Sequence, residues 1–368
     1  MIELIKKDKQ TNARVGKIET AKGIIETPAF VLKTHNLLTW VESSNLKKIN
    51  TQILKTNAYE IWKNLSDEGI NFSTGIYDIL NWYGPIMTDS GSLEILKIKQ
   101  ADKKNNILEI SNSGINFKDK NKGIEKYFDA EESLKIQEEL EPDIITAFDL
   151  PLNLKENENE AIKKTELSHH WQIRFLEAKS SLQQVFGVLG GGFFLNLVES
   201  SAQFLEKLNF DGIVISNFET KLNSEKLTEI LKIVNQIIHP SRIKHIKNIE
   251  SIKELFAVIK QGVDTFESEL PYKNSKSGIL MTDFGNLNLN NQNYENDDSN
   301  LDETCACPIC LTGITKKDIH HQLKTKNKQG FINLLTHNIY FLNNLAQNIR
   351  QAIQNNELEK LEKIYLAK

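Results

Sequence analysis

The chain has 368 residues, 39% of them hydrophobic and 26% charged, and carries a formal net charge of −4 at pH 7. Such proportions belong to an ordinary globular protein, and a net negative chain is no general magnet for nucleic acid, so any RNA contact must come from local patches or a partner. No apolar run approaches the roughly 20 residues that span a bilayer, the opening Met-Ile-Glu-Leu-Ile-Lys-Lys is no secretory signal, and there are only three cysteines. Together these point to a reducing, intracellular compartment.

In chain order, Ala13 to Ile18 and Gly23 to Ile25 read as short strands divided by turn-formers, followed by Thr27-Pro-Ala-Phe-Val-Leu and mixed signals through Trp62. The first sharp motif is Trp82-Tyr-Gly-Pro-Ile-Met-Thr-Asp89-Ser-Gly91, an apolar strand that ends in a carboxylate and a glycine turn. The same form recurs at Asp143 to Asp149, at Val185 to Gly192, at Gly212 to Asn217 and at Gly262 to Glu267. Between these strands the apolar period becomes helical: Val198, Ala202, Leu205 and Leu208; then Leu227, Ile230, Leu231, Val234 and Ile238; then Ile252, Leu255, Phe256 and Ile259.

Alternating strand and helix imply a parallel sheet with crossover helices. Polar residues repeated at strand C-termini suit the catalytic face of a (β/α)8 TIM barrel. An open doubly wound sheet is the alternative, against which no G-x-G-x-x-G follows the first strand. The expected organisation is a barrel over 1–284, a low-complexity, Asn-rich and acidic linker over 285–304, a zinc-binding subdomain over 305–340, and C-terminal helices over 341–368 packing on the barrel. Residues 99–127, rich in Lys, Asn and Gly, read as an insertion.

All three cysteines fall in Cys305-Ala-Cys307-Pro-Ile-Cys310. An odd number cannot pair off as disulfides, whereas a tight knuckle of thiolates with a later fourth ligand is the pattern of tetrahedral zinc. His320, His321 and His337 are the candidate fourth ligands; His337 borders the helical stripe Leu335, Ile339, Leu342, Leu345, Ile349 and Ile353. The acids Asp89, Asp149 and Glu267 would gather at one barrel mouth, where paired carboxylates suit substitution at a sugar anomeric carbon. Taken singly, each is equally well a helix cap.

The chain resembles the tRNA-guanine transglycosylases, also called queuine tRNA-ribosyltransferases, over nearly its whole length. The resemblance rests on Thr27-Pro-Ala-Phe, Asn81 to Gly91, Asp143 to Asp149, Phe186-Gly-Val-Leu-Gly-Gly-Gly192, Phe210-Asp-Gly212, Gly262 to Glu267, the cysteine knuckle, Ile319-His-His321 and Leu335-Thr-His-Asn338. It implies a barrel with a zinc subdomain, a dimer, and exchange of a tRNA anticodon guanine for a queuine-type base through a covalent ribosyl-enzyme intermediate. It also implies Cys305, Cys307, Cys310 and His337 as the Zn2+ ligands, Asp89 as the proton-transferring residue, Asp149 as a reader of the base, and Gly190 and Gly191 in the base-binding turn.

The sequence departs from that pattern in the pocket. Glu267 stands where the family has its nucleophilic aspartate, and a displacement on the order of an ångström there can cost ~10²-fold in rate. Gly190 replaces a base-recognising glutamine, Ser216-Asn217-Phe218 replaces Gly-Gly-Leu, Glu94 replaces glutamine, and Lys273 and Lys276 replace paired arginines, which loses the bidentate fork. Phe266-Glu-Ser-Glu-Leu-Pro-Tyr272 looks like the accessory, non-catalytic subunit of the heterodimeric enzyme, which pairs with a catalytic subunit, helps to position tRNA and can sit at the mitochondrial outer surface. The alternatives are an active homodimer that uses Glu267 as nucleophile, and a barrel nucleoside glycosidase. The lysines at 316, 317, 324, 326 and 328 are either phosphate contacts or a solvated charged face.

Overall fold

Strands buried on both faces read as mainly apolar runs, and four short segments of this chain approach that pattern. They are Ile86–Asp89, Ile144–Thr146, Gln184–Val188 and Gly212–Ile215. The computed structural model, which describes residues 1–34, 37–68, 75–100, 107–118, 125–153, 155–215 and 224–367, places them in one closed sheet.

In chain order the strands are β1 (Ile2–Lys7), β2 (Arg14–Thr20) and β3 (Gly23–Thr27), which form a small sheet, then β4 (Ala29–Lys33), β5 (Ile53–Asn57) and β6 (Ile86–Asp89). A second sheet holds β7 (Ile107–Ile110), β8 (Ile115–Lys118) and β9 (Glu125–Phe128). There follow β10 (Ile144–Thr146), β11 (Gln184–Val188), β12 (Gly212–Ile215), β13 (Ile243–Ile249) and β14 (Thr265–Ser268), and last a hairpin of β15 (Ile279–Thr282) and β16 (Gly285–Asn288). The closed order is β10-β11-β12-β13-β14-β4-β5-β6, an eight-stranded parallel barrel, as expected of a TIM barrel. The insertion is the antiparallel sheet β7-β8-β9.

Two of the barrel strands were not legible in advance. In β13 the isoleucines at 243, 246 and 249 recur every third residue, a period that mimics a helix. The strand is nonetheless held in register on β12, from Gly212 against Ile243 to Ile215 against Ile246. In β5 the apolar run is broken by Lys55, which is only 2% exposed.

The crossover helices follow the sequence period. Leu195–Glu206 buries Val198, Ala202 and Leu205, and Ile252–Lys260 starts at Ser251, whose hydroxyl accepts the Glu254 N–H. That cap satisfies one of the orphan donors of the first turn. By contact density the chain divides into two compact units. One comprises Met1–Ile2, Glu19–Gly23 and Lys55–Lys247; the other comprises Glu3–Ile18, Ile24–Leu54 and Asn248–Lys368.

Within the second unit, Arg14 grips Asp264 with two bonds of 2.7 and 2.6 Å, and both side chains are buried. The stretch 285–304, read from composition as a linker, contains β16 and buries Leu289 and Leu301 with Leu280, Ile319 and Leu334. Its asparagines and aspartates bond their own backbone two residues on: Asn288 accepts from Asn290 N–H, Asn291 from Asn293, Asp297 from Ser299 and Asp302 from Thr304. Turn-forming polar side chains therefore account for the composition. Among the described residues no helix is long and apolar enough to cross a membrane.

Candidate functional site

The Cys305-to-Cys310 knuckle faces the buried helix Lys328–Asn355, which supplies His337. The donor atoms of Cys305, Cys307, Cys310 and His337 all lie within 4.8 Å of one another. His337 Nδ1 is 3.6 Å from Cys307 Sγ and 3.3 Å from Cys310 Sγ. A tetrahedral zinc with bonds of about 2.3 Å to sulfur and 2.0–2.1 Å to nitrogen sets neighbouring S and N about 3.5 Å apart, so the donors fit that ion.

The outer partners fit it too. The Met281 carbonyl lies 2.8 Å from His337 Nε2 and can only accept, so Nε2 carries the proton and Nδ1 turns its lone pair to the thiols. Backbone N–H groups of Cys307 and Cys310 point at Cys305 Sγ and Cys307 Sγ at 3.4 and 3.3 Å. Hydrogen bonds with Cys305 and Cys310 hold the Cys307 thiol well below its ordinary range, the state a metal needs. The other two histidines stand elsewhere: His320 is buried with Nδ1 at 2.8 Å from the Leu289 carbonyl, and His321 is exposed.

In the first unit, Asp89 ends β6, and its Oδ1 receives Lys55 Nζ at 2.9 Å and Lys247 Nζ at 2.7 Å. The side chains of Asp89 and Lys247 remain 25% and 19% exposed, that of Lys55 only 1%. Asp149, beyond β10, accepts the Ser92 hydroxyl at 3.2 Å. Burial pushes its carboxyl up to about 6, with the Asp89 charge adding to the rise and Lys247 opposing it. Glu94 accepts from Asn57 Nδ2 at 2.6 Å.

The glycine turn after β11 is pinned by two hydroxyls, Gly190 N–H on Ser201 Oγ at 2.9 Å and Gly191 N–H on Thr165 Oγ1 at 3.1 Å. Gly191 has φ +93°, and a Cβ there would sit 2.3 Å from Val198 N. Only glycine satisfies both demands.

In the second unit, Glu267 lies in β14 with its side chain 0% exposed and Lys33 Nζ 3.4 Å from Oε2. Lys33 ends β4, the strand paired with β14, and also donates to Asn248 Oδ1 at 3.2 Å. Lys273 pairs with Glu250 and Glu269 at 3.3 and 3.5 Å. Lys317 pairs with Asp298 at 3.0 Å and Lys324 with Glu295 at 3.1 Å, so part of the basic run is matched by acids of 285–304. Ser216, Asn217 and Phe218 lie outside the described residues.

Sequence reasoning therefore missed Lys33, Lys55 and Lys247, the three amines that face the acids. A lysine inside an apolar strand, as at Ile53-Leu-Lys55, was the available signal, because an ammonium is buried only when paired.

A closed parallel barrel with acids and lysines on its strands and a Cys3His cluster near the C-terminus that could hold a metal ion defines a (β/α) barrel protein. The family model described as "TGT: Queuine tRNA-ribosyltransferase" matches residues 8–368. The chain is 30% identical over 357 residues to the queuine tRNA-ribosyltransferase of Shouchella clausii (strain KSM-K16), covering 95% of this chain and 91% of that protein. It is 31% identical over 358 residues to that of Streptococcus gordonii (96% and 92% covered) and 30% identical over 358 residues to that of Lactococcus lactis subsp. cremoris strain SK11 (96% and 92%). The chain belongs to the queuine tRNA-ribosyltransferase family.

Proposed function

We propose that this chain serves queuosine-type tRNA modification as the non-exchanging subunit of a heterodimer, paired with a catalytic queuine tRNA-ribosyltransferase and helping to hold tRNA. Structural zinc on Cys305, Cys307, Cys310 and His337 would tie the knuckle to the long helix. The observation that carries the reading is the environment of Asp89. A residue that shuttles protons needs a carboxyl free to change state, whereas this one shares a single oxygen with two ammonium groups at 2.9 and 2.7 Å. Glu267 adds to it, since the longer side chain displaces by about an ångström a nucleophile whose oxygen must approach the ribose carbon at about 3–3.5 Å.

The test is incorporation of labelled guanine into tRNA. The purified chain alone should incorporate none, and addition of a catalytic paralogue should start or raise incorporation. Robust incorporation by the single chain would reject the proposal.

A second reading, an active homodimer, draws on Lys33, 3.4 Å from the wholly buried Glu267 and able to hold it as a carboxylate. In that reading Glu267 attacks the ribose C1′ and guanine departs with its bonding pair. The incoming base then displaces the carboxylate. It predicts a denaturation-resistant adduct with tRNA that vanishes in Glu267→Gln.

A further inference from the structure

The second unit holds a cleft that neither reading uses. It has a volume of about 220 Å³ and is walled by Ile5 of β1, Val15 of β2 and Glu26 of β3 on one side. The other wall is the helix Lys328–Asn355, where Gln347, Arg350, Gln351 and Gln354 recur at three and four residues and so share one face. The Arg350 side chain is only 12% exposed. Its Nη1 donates to the carbonyls of Pro28 and Glu26 at 2.8 and 3.4 Å. Its Nε stands 3.8 Å from Glu26 Oε2, too far for a hydrogen bond, and among the described residues Nη2 has no hydrogen-bond partner. Burial opposes the guanidinium charge, and Glu26 is the charge that offsets it. The three glutamine side chains likewise make no hydrogen bond among the described residues.

The Nε–Nη2 edge of a guanidinium is a fork that grips a carboxylate or phosphate with two parallel N–H bonds, and here that fork is unfilled and opens on the cleft. Carboxamides on the same helix face add N–H donors for further oxygens, while Ile5 and Val15 supply a short apolar wall. The space is smaller than the roughly 300–1,000 Å³ of a pocket for a drug-sized ligand. We propose that this cleft binds a small organic oxyanion, a phosphate or carboxylate group on a compact apolar body, with its oxygens on the Arg350 edge and the glutamine amides. Glu26, whose side chain is 57% exposed, is the built-in competitor that turns outward to water when the ligand enters. The proposal does not depend on whether the chain exchanges bases.

Titration of the full chain with its metal tests it, followed by the side-chain amide resonances of the glutamines, with phenyl phosphate, benzoate and inorganic phosphate as probes and chloride at equal ionic strength as control. Phenyl phosphate or benzoate should shift the Gln347, Gln351 and Gln354 resonances saturably, and the tighter of the two identifies the oxyanion. Inorganic phosphate should bind more weakly than phenyl phosphate, because it leaves the apolar wall uncovered. Glu26→Gln, which removes the competing charge, should tighten binding at least about fivefold, and Gln351→Glu, which puts a carboxylate into the cleft, should weaken it by a similar factor. Both positions are exposed, so the fold is retained in each variant. No saturable shift with either organic probe, the same shifts with chloride, or an affinity unmoved in both variants would overturn the proposal, and each leaves the subunit reading to the exchange assay.

Discussion

Removing the metal is the perturbation with the clearest consequence. Without an ion, Cys307 and His337, both 0% exposed, are left as polar groups crowded in the interior. Zinc-finger peptides draw about 10–16 kcal/mol from the ion because nothing else orders them. Here the leucine and isoleucine cluster of Leu280, Leu289, Leu301, Ile319 and Leu334 remains without it, so most of the site is held in advance. The expected loss is that of breaking a buried charged group from its partner, about 3–5 kcal/mol. For a body of 150–250 residues that lowers the melting temperature by about 10 °C. Metal analysis of protein purified without chelators should find zinc. Thermal unfolding followed by circular dichroism should then show the drop on adding a strong chelator. His337→Ala should reproduce it, and chelator should add little more to that variant because both remove the same interaction. A chain that contains no zinc, or chelator and variant effects that add in full, would refute the reasoning.

Two further outcomes follow from geometry in the first unit. Burial raises the Asp149 carboxyl to about 6 in the folded chain, above its ordinary range, so the folded state binds the proton more tightly and stability falls as pH rises from about 4 to about 6, by up to roughly 3 kcal/mol; Asp149→Asn should gain on the parent across that window in urea titrations, and a constant difference would contradict the assignment. Gly191→Ala should cost about 3 kcal/mol or more, because its Cβ would press within 2.3 Å of Val198 N at φ +93°, and a melting temperature within a degree or two of the parent would show that the turn can yield.

Much of the architecture was legible because it follows from period. The strands at 86–89, 144–146 and 212–215 open on apolar residues and the helices repeat at three and four, which leaves few topologies besides a barrel or an open sheet. The strands that escaped, β5 and β13, carry lysines inside the sheet. Period alone assigns a lysine to the surface, because it takes no account of a partner brought from 34 or 158 positions away, as Asp89 is for Lys55 and Lys247. The stretch 285–304 was misleading for a related reason: its asparagines signal polarity, and only coordinates show that they close turns over Leu289 and Leu301.

The sequence by itself determined the alternation of strand and helix, the acids at strand ends and the cysteine knuckle, since each is a local pattern of residue types. Spacing alone left three histidines open and the family resemblance pointed to His337; the helix Lys328–Asn355 brings that residue, and not His320 or His321, to the thiols with Nε2 tied to the Met281 carbonyl. What surrounds the acids was likewise decided by tertiary structure alone. A carboxylate's chemistry depends on which charges stand within a few ångströms of it, and in a closed barrel those neighbours come from strands far apart in the chain.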